Sequence, residues 1–214
     1  MNKILHNYEN LGNYIVPTNV VRGGTCVDIG GNTGAFSLKY SGIFRTIHVY
    51  EPQFECNEII RDRLKDHNHI TVFGEAVYRE SGIQLNMIRH SNNDSGSTAM
   101  DSPQLTDHLV KTGWTSEIVN TASTICLEDI LTRIGGEIDY CKIDCETGEY
   151  ELLMNKDLSK IKFLGIELHW QMGKDKYNEL LNYIGKFFNK AIPGDISWEY
   201  GANKETLFMS KVYN

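Results

Sequence analysis

The chain has 214 residues, 41% hydrophobic and 23% charged, a balance that suits one globular domain and excludes disordered and fibrous classes. Its net charge is −7 and its Lys and Arg residues are scattered, so no basic stripe is present and stable nucleic-acid binding is not expected. No run reaches the ~18 apolar residues of a membrane span, and five cysteines, an odd number, argue against a disulfide framework.

In chain order, "MNKILHNYENLGNYIVP" lacks the unbroken apolar core of a signal peptide, so a cytoplasmic location is expected, and residues 1–24 read as an N-terminal extension. Thr25–Ile29 is the first predicted strand. It runs through "DIGGNTG" into a predicted helix over Gly34–Ser41. Glycines there allow positive φ and let a ligand reach the main chain, and the amides of a helix start favour a negatively charged ligand group. A merely structural tight turn is the competing reading. Thr46–Glu51 is the second strand, stopped by Pro52, and Glu51 falls 23 positions after Asp28. That is close to the ~20-residue separation at which an acid ending the second strand meets a ribose hydroxyl pair. A solvated carboxylate at a strand end is the alternative.

A helix over Cys56–His67 and a strand over Ile70–Ala76 follow. Residues 82–120, polar and centred on "HSNNDSGSTAMDSP", read as an insertion near the substrate cleft. There His90, Asn92, Asn93, Ser95 and Ser97 are expected to close over the acceptor, with Trp114 on its apolar side, unless the segment is only a solvated insertion. Helices over Leu127–Ile134, Glu149–Asn155 and Lys174–Phe188 alternate with strands over Asp139–Asp144 and Phe163–Glu167. "ISWEY" and "ETLFMSKVY" around "GANK" read as a hairpin. The sum is a single α/β domain over 1–214: a doubly wound, mostly parallel seven-stranded sheet with a C-terminal antiparallel hairpin.

The spacing of "DIGGNTG" differs from the G-x-G-x-x-G loop that receives a pyrophosphate, and its acid precedes the first glycine. An acid at that point repels a pyrophosphate and suits a ligand carrying an ammonium and a sulfonium. S-adenosylmethionine fits; NAD fits poorly.

These segments resemble the FkbM family of class I S-adenosylmethionine-dependent methyltransferases. "VDIGGNTG" is similar to its D-[VI]-G-A-N-x-G loop and "VYEP" to its F-E-P. "GEAVYRESG", "SGSTAM" and "TICLEDIL" resemble the segments that follow, and "LGIELHW" matches its strand ending in glutamate. "IDYCKIDCETGEYELL" is similar to I-D-x-x-K-I-D-V-E-G-x-E-x-x-V-L, with Thr147 in place of a glycine. The resemblance implies that Asp28, Gly30, Gly31, Asn32 and Gly34 surround the methionine portion of the cofactor. It also implies that Glu51 holds the ribose and that Pro52, Glu75 and Ala76 lie near the adenine. A small-molecule or carbohydrate hydroxyl is the implied acceptor.

A hydroxyl is a poor nucleophile at neutral pH, so a base or a metal is expected near the transferred methyl group. Asp144, Glu146, Glu167 and His169 close the fourth and fifth strands. His169, Glu146 and Asp144 are the expected catalytic residues, with His169 as base, oriented by Glu146 or Glu167. A packed, satisfied histidine is the plain alternative. Asp144, Glu167 and His169 could instead hold a divalent cation through oxygen and nitrogen, but no metal is assigned. Lys142 is expected to pair with Asp144 or Glu146. Two further readings are a binding protein that holds the cofactor without turnover and, less favoured, a nicotinamide oxidoreductase.

Overall fold

The computed structural model describes residues 8–11, 14–90, 97–99, 116–169, 172–199 and 202–210. Among the described residues, three elements precede the first strand of the main sheet: strands β1 (Tyr8–Leu11) and β2 (Tyr14–Pro17) and a single helical turn, α1 (Thr18–Val21). The unit then alternates: β3 (Thr25–Ile29), α2 (Ala35–Lys39), β4 (Thr46–Tyr50), α3 (Phe54–Arg63), β5 (Ile70–Phe73). Four strands of a second sheet come next, β6 (Ala76–Val77), β7 (Gln84–His90), β8 (Ser97–Ala99) and β9 (Ser116–Ile125). The chain returns through α4 (Leu127–Ile134), β10 (Ile138–Ile143), α5 (Glu149–Leu153), β11 (Ile161–His169), α6 (Lys174–Ile184), β12 (Lys190–Glu199) and β13 (Ala202–Ser210).

The main sheet runs in the order β12-β13-β11-β10-β3-β4-β5. β11, β10, β3, β4 and β5 are mutually parallel, and β13 joins β11 antiparallel with β12 outside it. All five residues of β3 are buried, as a central strand with both faces covered requires. One apolar layer gathers Ile29, Ile143, Leu152, Leu164 and Leu180; the other gathers Phe36, Ile47, Ile60 and Tyr140. Helix α4 has the composition of a self-terminating helix: Glu128 and Asp129 open it, Arg133 ends it, and Gly135 caps it at φ 89°.

Two segments carry more structure than their composition suggests. In the N-terminal extension, Tyr14, Val16 and Val21 are buried with Tyr140 and Phe163. Within 82–120, β7 and β9 pair antiparallel over most of their length, so the described part of that insertion is a small sheet ordered β6-β9-β7-β8. Leu85 and Met87 are buried in it, and the intervening Asn86 binds Thr121 across the pair. Asn92, Asn93, Ser95 and Trp114 lie outside the described residues. His90 and Ser97 belong to β7 and β8. The third strand stops at Phe73, and Ala76–Val77 crosses to the small sheet beside Thr124 and Ile125.

Candidate active site

Register brings the site together. Ile29 pairs with Tyr50 and with Ile143, and Ile143 pairs with Ile166, so the carboxyl ends of β4, β3, β10 and β11 lie side by side. Every candidate residue that follows one of these strands therefore opens onto the same edge.

On the β3–β4 side, Glu51 is buried. Its Oε2 accepts from the Asn32 amide at 2.7 Å and its Oε1 from the Gln53 amide at 2.8 Å. Each carboxylate oxygen can accept twice, so a diol remains a possible donor pair. Burial lifts this carboxyl to about 7 against the opposing pull of the two amides. The carbonyl of Pro52 accepts from Asn120 Nδ2 at 2.8 Å, which ties the small sheet to this corner. Glu75 is clasped by both terminal nitrogens of Arg133, whose guanidinium also lies 4.4 Å from the Phe73 ring centroid. Arg133 had no place in the sequence reading, where a basic residue in the last turn of a helix has a sufficient reason in the dipole. Ala76 is buried in β6.

The glycine loop answers to the chain's own backbone. Gly30 stands at φ 75°, and a Cβ there would sit 1.7 Å from the Asp144 carbonyl oxygen. Gly31 and Gly34 are packed against Val49 and Ile60. The amides of Gly30 and Gly31 donate to Tyr50 O, that of Asn32 to Glu51 and that of Gly34 to Gly31 O, so these four are committed within the protein. Helix α2 is also only five residues long. The expected row of free amides is thus occupied at these positions.

Asp28 is fully buried and accepts from Ser37 Oγ at 2.6 Å. Its other oxygen is 3.3 Å from Lys142 Nζ, which is also 3.8 Å from Asp144 and donates to the carbonyls of Ile29 and Gly30. The expected Lys142–Asp144 pair is present, and Lys142 also reaches Asp28. Through it the glycine loop and the end of β10 form one hydrogen-bonded unit.

On the β10–β11 side, Asp144, Glu167 and His169 each bring one donor atom within 4.8 Å of the others. His169 is 2% exposed, and its Nδ1 donates to Glu149 Oε1 at 2.8 Å. Its Nε2 lies 3.4 Å from Glu146 and 3.5 Å from Glu167 without making a hydrogen bond. The orienting carboxylate is thus Glu149 rather than Glu146 or Glu167. Glu149 is the final glutamate of the motif "DCETGE", and that motif was the available signal for it. Its Oε1 also accepts from the amides of Cys145 and Thr147. Between them Glu146 and Thr147 take φ 48° and 81°, conformations that cost a non-glycine residue energy and persist where neighbours over-determine them.

Burial alone would lower the His169 pKa, but Glu149, Glu146 and Asp144 outweigh it and raise it to about 10. At neutral pH these carboxylates favour the protonated imidazole. Tyr14 reaches the same cluster from β2. Its buried phenol keeps its proton strongly, first through desolvation and then through the charges of Asp144 and Glu167. Tyr14 was not among the sequence candidates, because a tyrosine far upstream carries no motif.

Residues 28–191 match the Methyltransferase FkbM domain, which is more than half of the chain. Among solved structures, a methyltransferase FkbM from Methylobacillus flagellatus KT superposes with a TM-score of 0.53 at 19% identity. The match covers 86% of this chain but only 43% of that one. An rRNA methylase from Streptococcus thermophilus gives 0.52 at 11% identity, covering 92% of both chains. A Streptococcus mutans protein described as a methyltransferase and solved in complex with SAH gives 0.51 at 9%, covering 91% of this chain and 93% of its own. At these identities the likeness is one of fold. Among curated proteins none matches the chain.

Proposed function

The chain belongs to the FkbM methyltransferase family, and from that premise we propose that it transfers a methyl group from S-adenosylmethionine to a hydroxyl oxygen of a small molecule or glycan. The observation that carries this reading is the pairing of two unlike halves along one sheet edge. One half is a buried carboxylate, Glu51, with lone pairs left for a diol. The other is the carboxylate and imidazole group Asp144, Glu146, Glu167 and His169.

In this reading Glu51 holds the ribose hydroxyls, and Pro52, Glu75 and Ala76 border the adenine. Asp28, Gly30, Gly31, Asn32 and Gly34 form the floor under the methionine portion. Asp28 and Lys142 do so by fixing the loop, since Asp28 is fully buried. S-adenosylmethionine, when bound, supplies an electrophilic methyl group on a sulfonium. The chain's task is to hold and deprotonate the acceptor. Glu146, with its side chain 39% exposed, is the proton acceptor at the mouth of the cleft. His169 and Asp144 orient the acceptor oxygen from below. The absence of a basic stripe in a chain of net charge −7 favours a small acceptor over a polynucleotide.

Calorimetry of the full chain with S-adenosylmethionine, S-adenosylhomocysteine and NAD tests the cofactor. The first two are expected to bind, with affinity falling about 10–100-fold in Glu51→Gln. NAD binding with neither of the others overturns the reading. Tritiated methyl transfer into carbohydrate, lipid and polyketide pools then tests turnover; cofactor binding with no labelled product in any pool favours a protein that only holds the cofactor.

A further inference from the structure

We propose that Asp144, Glu167 and His169 bind one hard divalent cation of the Mn²⁺ or Mg²⁺ kind, and that this ion acidifies the acceptor hydroxyl. What the ion does rests on the methyl-transfer reading; that it binds does not.

The donor atoms are two carboxylate oxygens and one imidazole nitrogen, all within 4.8 Å of one another. An ion with bonds of about 2.1 Å needs its ligands within roughly 4 Å, so a small inward movement of the side chains closes the set. The imidazole carries the second and independent sign. His169 is 2% exposed, its Nε2 has no hydrogen-bond partner, and that atom faces the carboxylates. An N–H left there would be a buried donor without an acceptor, which is unfavourable. A lone pair pointing at a cation has no such cost.

The other ring nitrogen fits the same conclusion. Nδ1 bonds to Glu149 Oε1 at 2.8 Å, and an ionised carboxylate only accepts, so Nδ1 keeps its proton and Nε2 is the nitrogen that ligates, its own proton leaving when the ion binds. Histidine ligands are characteristically held by a carboxylate in this way. Oxygen donors in the majority select Mg²⁺ or Mn²⁺ over softer metals, and the imidazole shifts the balance toward Mn²⁺. Cys145 lies next to the site in sequence, but its thiol is turned to Glu149 at 3.8 Å, which keeps sulfur out of the donor set.

Three protein ligands leave positions open for a hydroxyl of the acceptor. Its O–H bond is weakened there, and the proton passes to the Glu146 carboxylate.

The full-length protein, stripped with EDTA, is titrated with Mn²⁺ alone and followed by electron paramagnetic resonance and calorimetry. One ion per chain is expected, displaced by excess Mg²⁺. His169→Gln and Glu167→Gln are expected to lose the saturable signal, and Glu149→Gln to weaken it about 10–100-fold. S-adenosylhomocysteine binding by the same samples confirms that each variant is folded. Absence of stoichiometric Mn²⁺ uptake in a wild-type chain that binds S-adenosylhomocysteine overturns the metal site and leaves methyl transfer standing. Equal Mn²⁺ affinity in all variants overturns it too. Mn²⁺ uptake without S-adenosylhomocysteine binding supports the site and removes the role given to the ion.

Discussion

Glu149 and His169, 20 positions apart, meet through a 2.8 Å bond between Oε1 and Nδ1, and both side chains are out of water. The bond joins the first turn of α5 to the last residue of β11. A buried carboxylate paired in this way stabilises mainly through what its removal would leave behind: an uncompensated imidazole and two unbound amides. Glu149→Ala is expected to lower the unfolding free energy by about 3–5 kcal/mol in urea denaturation, with Glu149→Gln losing less. A loss under about 1 kcal/mol for the alanine variant would mean that the pair is not a structural tie.

Lys142 is buried as well. Lys142→Met would leave Asp28 fully enclosed with Ser37 as its remaining side-chain donor among the described residues. A loss of about 3–5 kcal/mol is expected, and adding Asp28→Asn should restore part of it. The measurement is a double-mutant cycle in denaturant. Additive losses would show that the two residues do not act as a pair.

Gly30 and Gly82 have nearly the same backbone angle, φ 75° and 81°, but a Cβ would meet the Asp144 carbonyl at the first and open space at the second. Alanine at 82 should cost only the left-handed penalty of about 1–2 kcal/mol. Alanine at 30 adds a collision with main chain, so a loss of at least about 3 kcal/mol and of S-adenosylhomocysteine binding is expected. Equal losses at both sites would contradict the packing argument.

On the proposed reading, Glu51 is expected to make cofactor binding depend on pH. Its folded pKa is about 7 against an ordinary 4.5, with burial the largest cause. Ribose hydroxyls donate best to the ionised form, so S-adenosylhomocysteine affinity should rise as pH increases through 7 and then level off. The sign for the unliganded fold is opposite. The folded chain keeps a proton that the unfolded chain has released, so this group's contribution is full below about 4.5 and is lost as pH rises through about 7. Calorimetric titrations and urea midpoints on either side of pH 7 check both signs, and Glu51→Gln should abolish both slopes.

The central parallel strands β3, β10 and β11 were legible because each is a largely apolar run buried on both faces: β3 matches Thr25–Ile29 residue for residue, and α4 matches Leu127–Ile134. β7 and β9 were not. Polar residues alternate with Leu85, Met87 and Ala122 there, and Ile118 is 57% exposed, so the composition resembles a loop. In the site, the acids at strand ends could be read from their positions. Among their partners Lys142 could be read as well, but Glu149, Arg133 and Tyr14 could not, because they take their importance from contacts across long stretches of chain. A histidine read alone has a pKa suited to a base; enclosed by Glu149, Glu146 and Asp144 it has that pKa raised. No sequence period reports that enclosure.

The Asp144 carbonyl rests where a Gly30 side chain would have to be. On the proposed reading, donor recess and acceptor recess thus share a single partition with no slack in it. Variation that reshapes the acceptor side at β10 is transmitted to the nucleoside side unless it spares that point of contact. New acceptor preferences in this scaffold should therefore arise at its outer rim, from the small sheet and from β2, while the partition itself stays fixed.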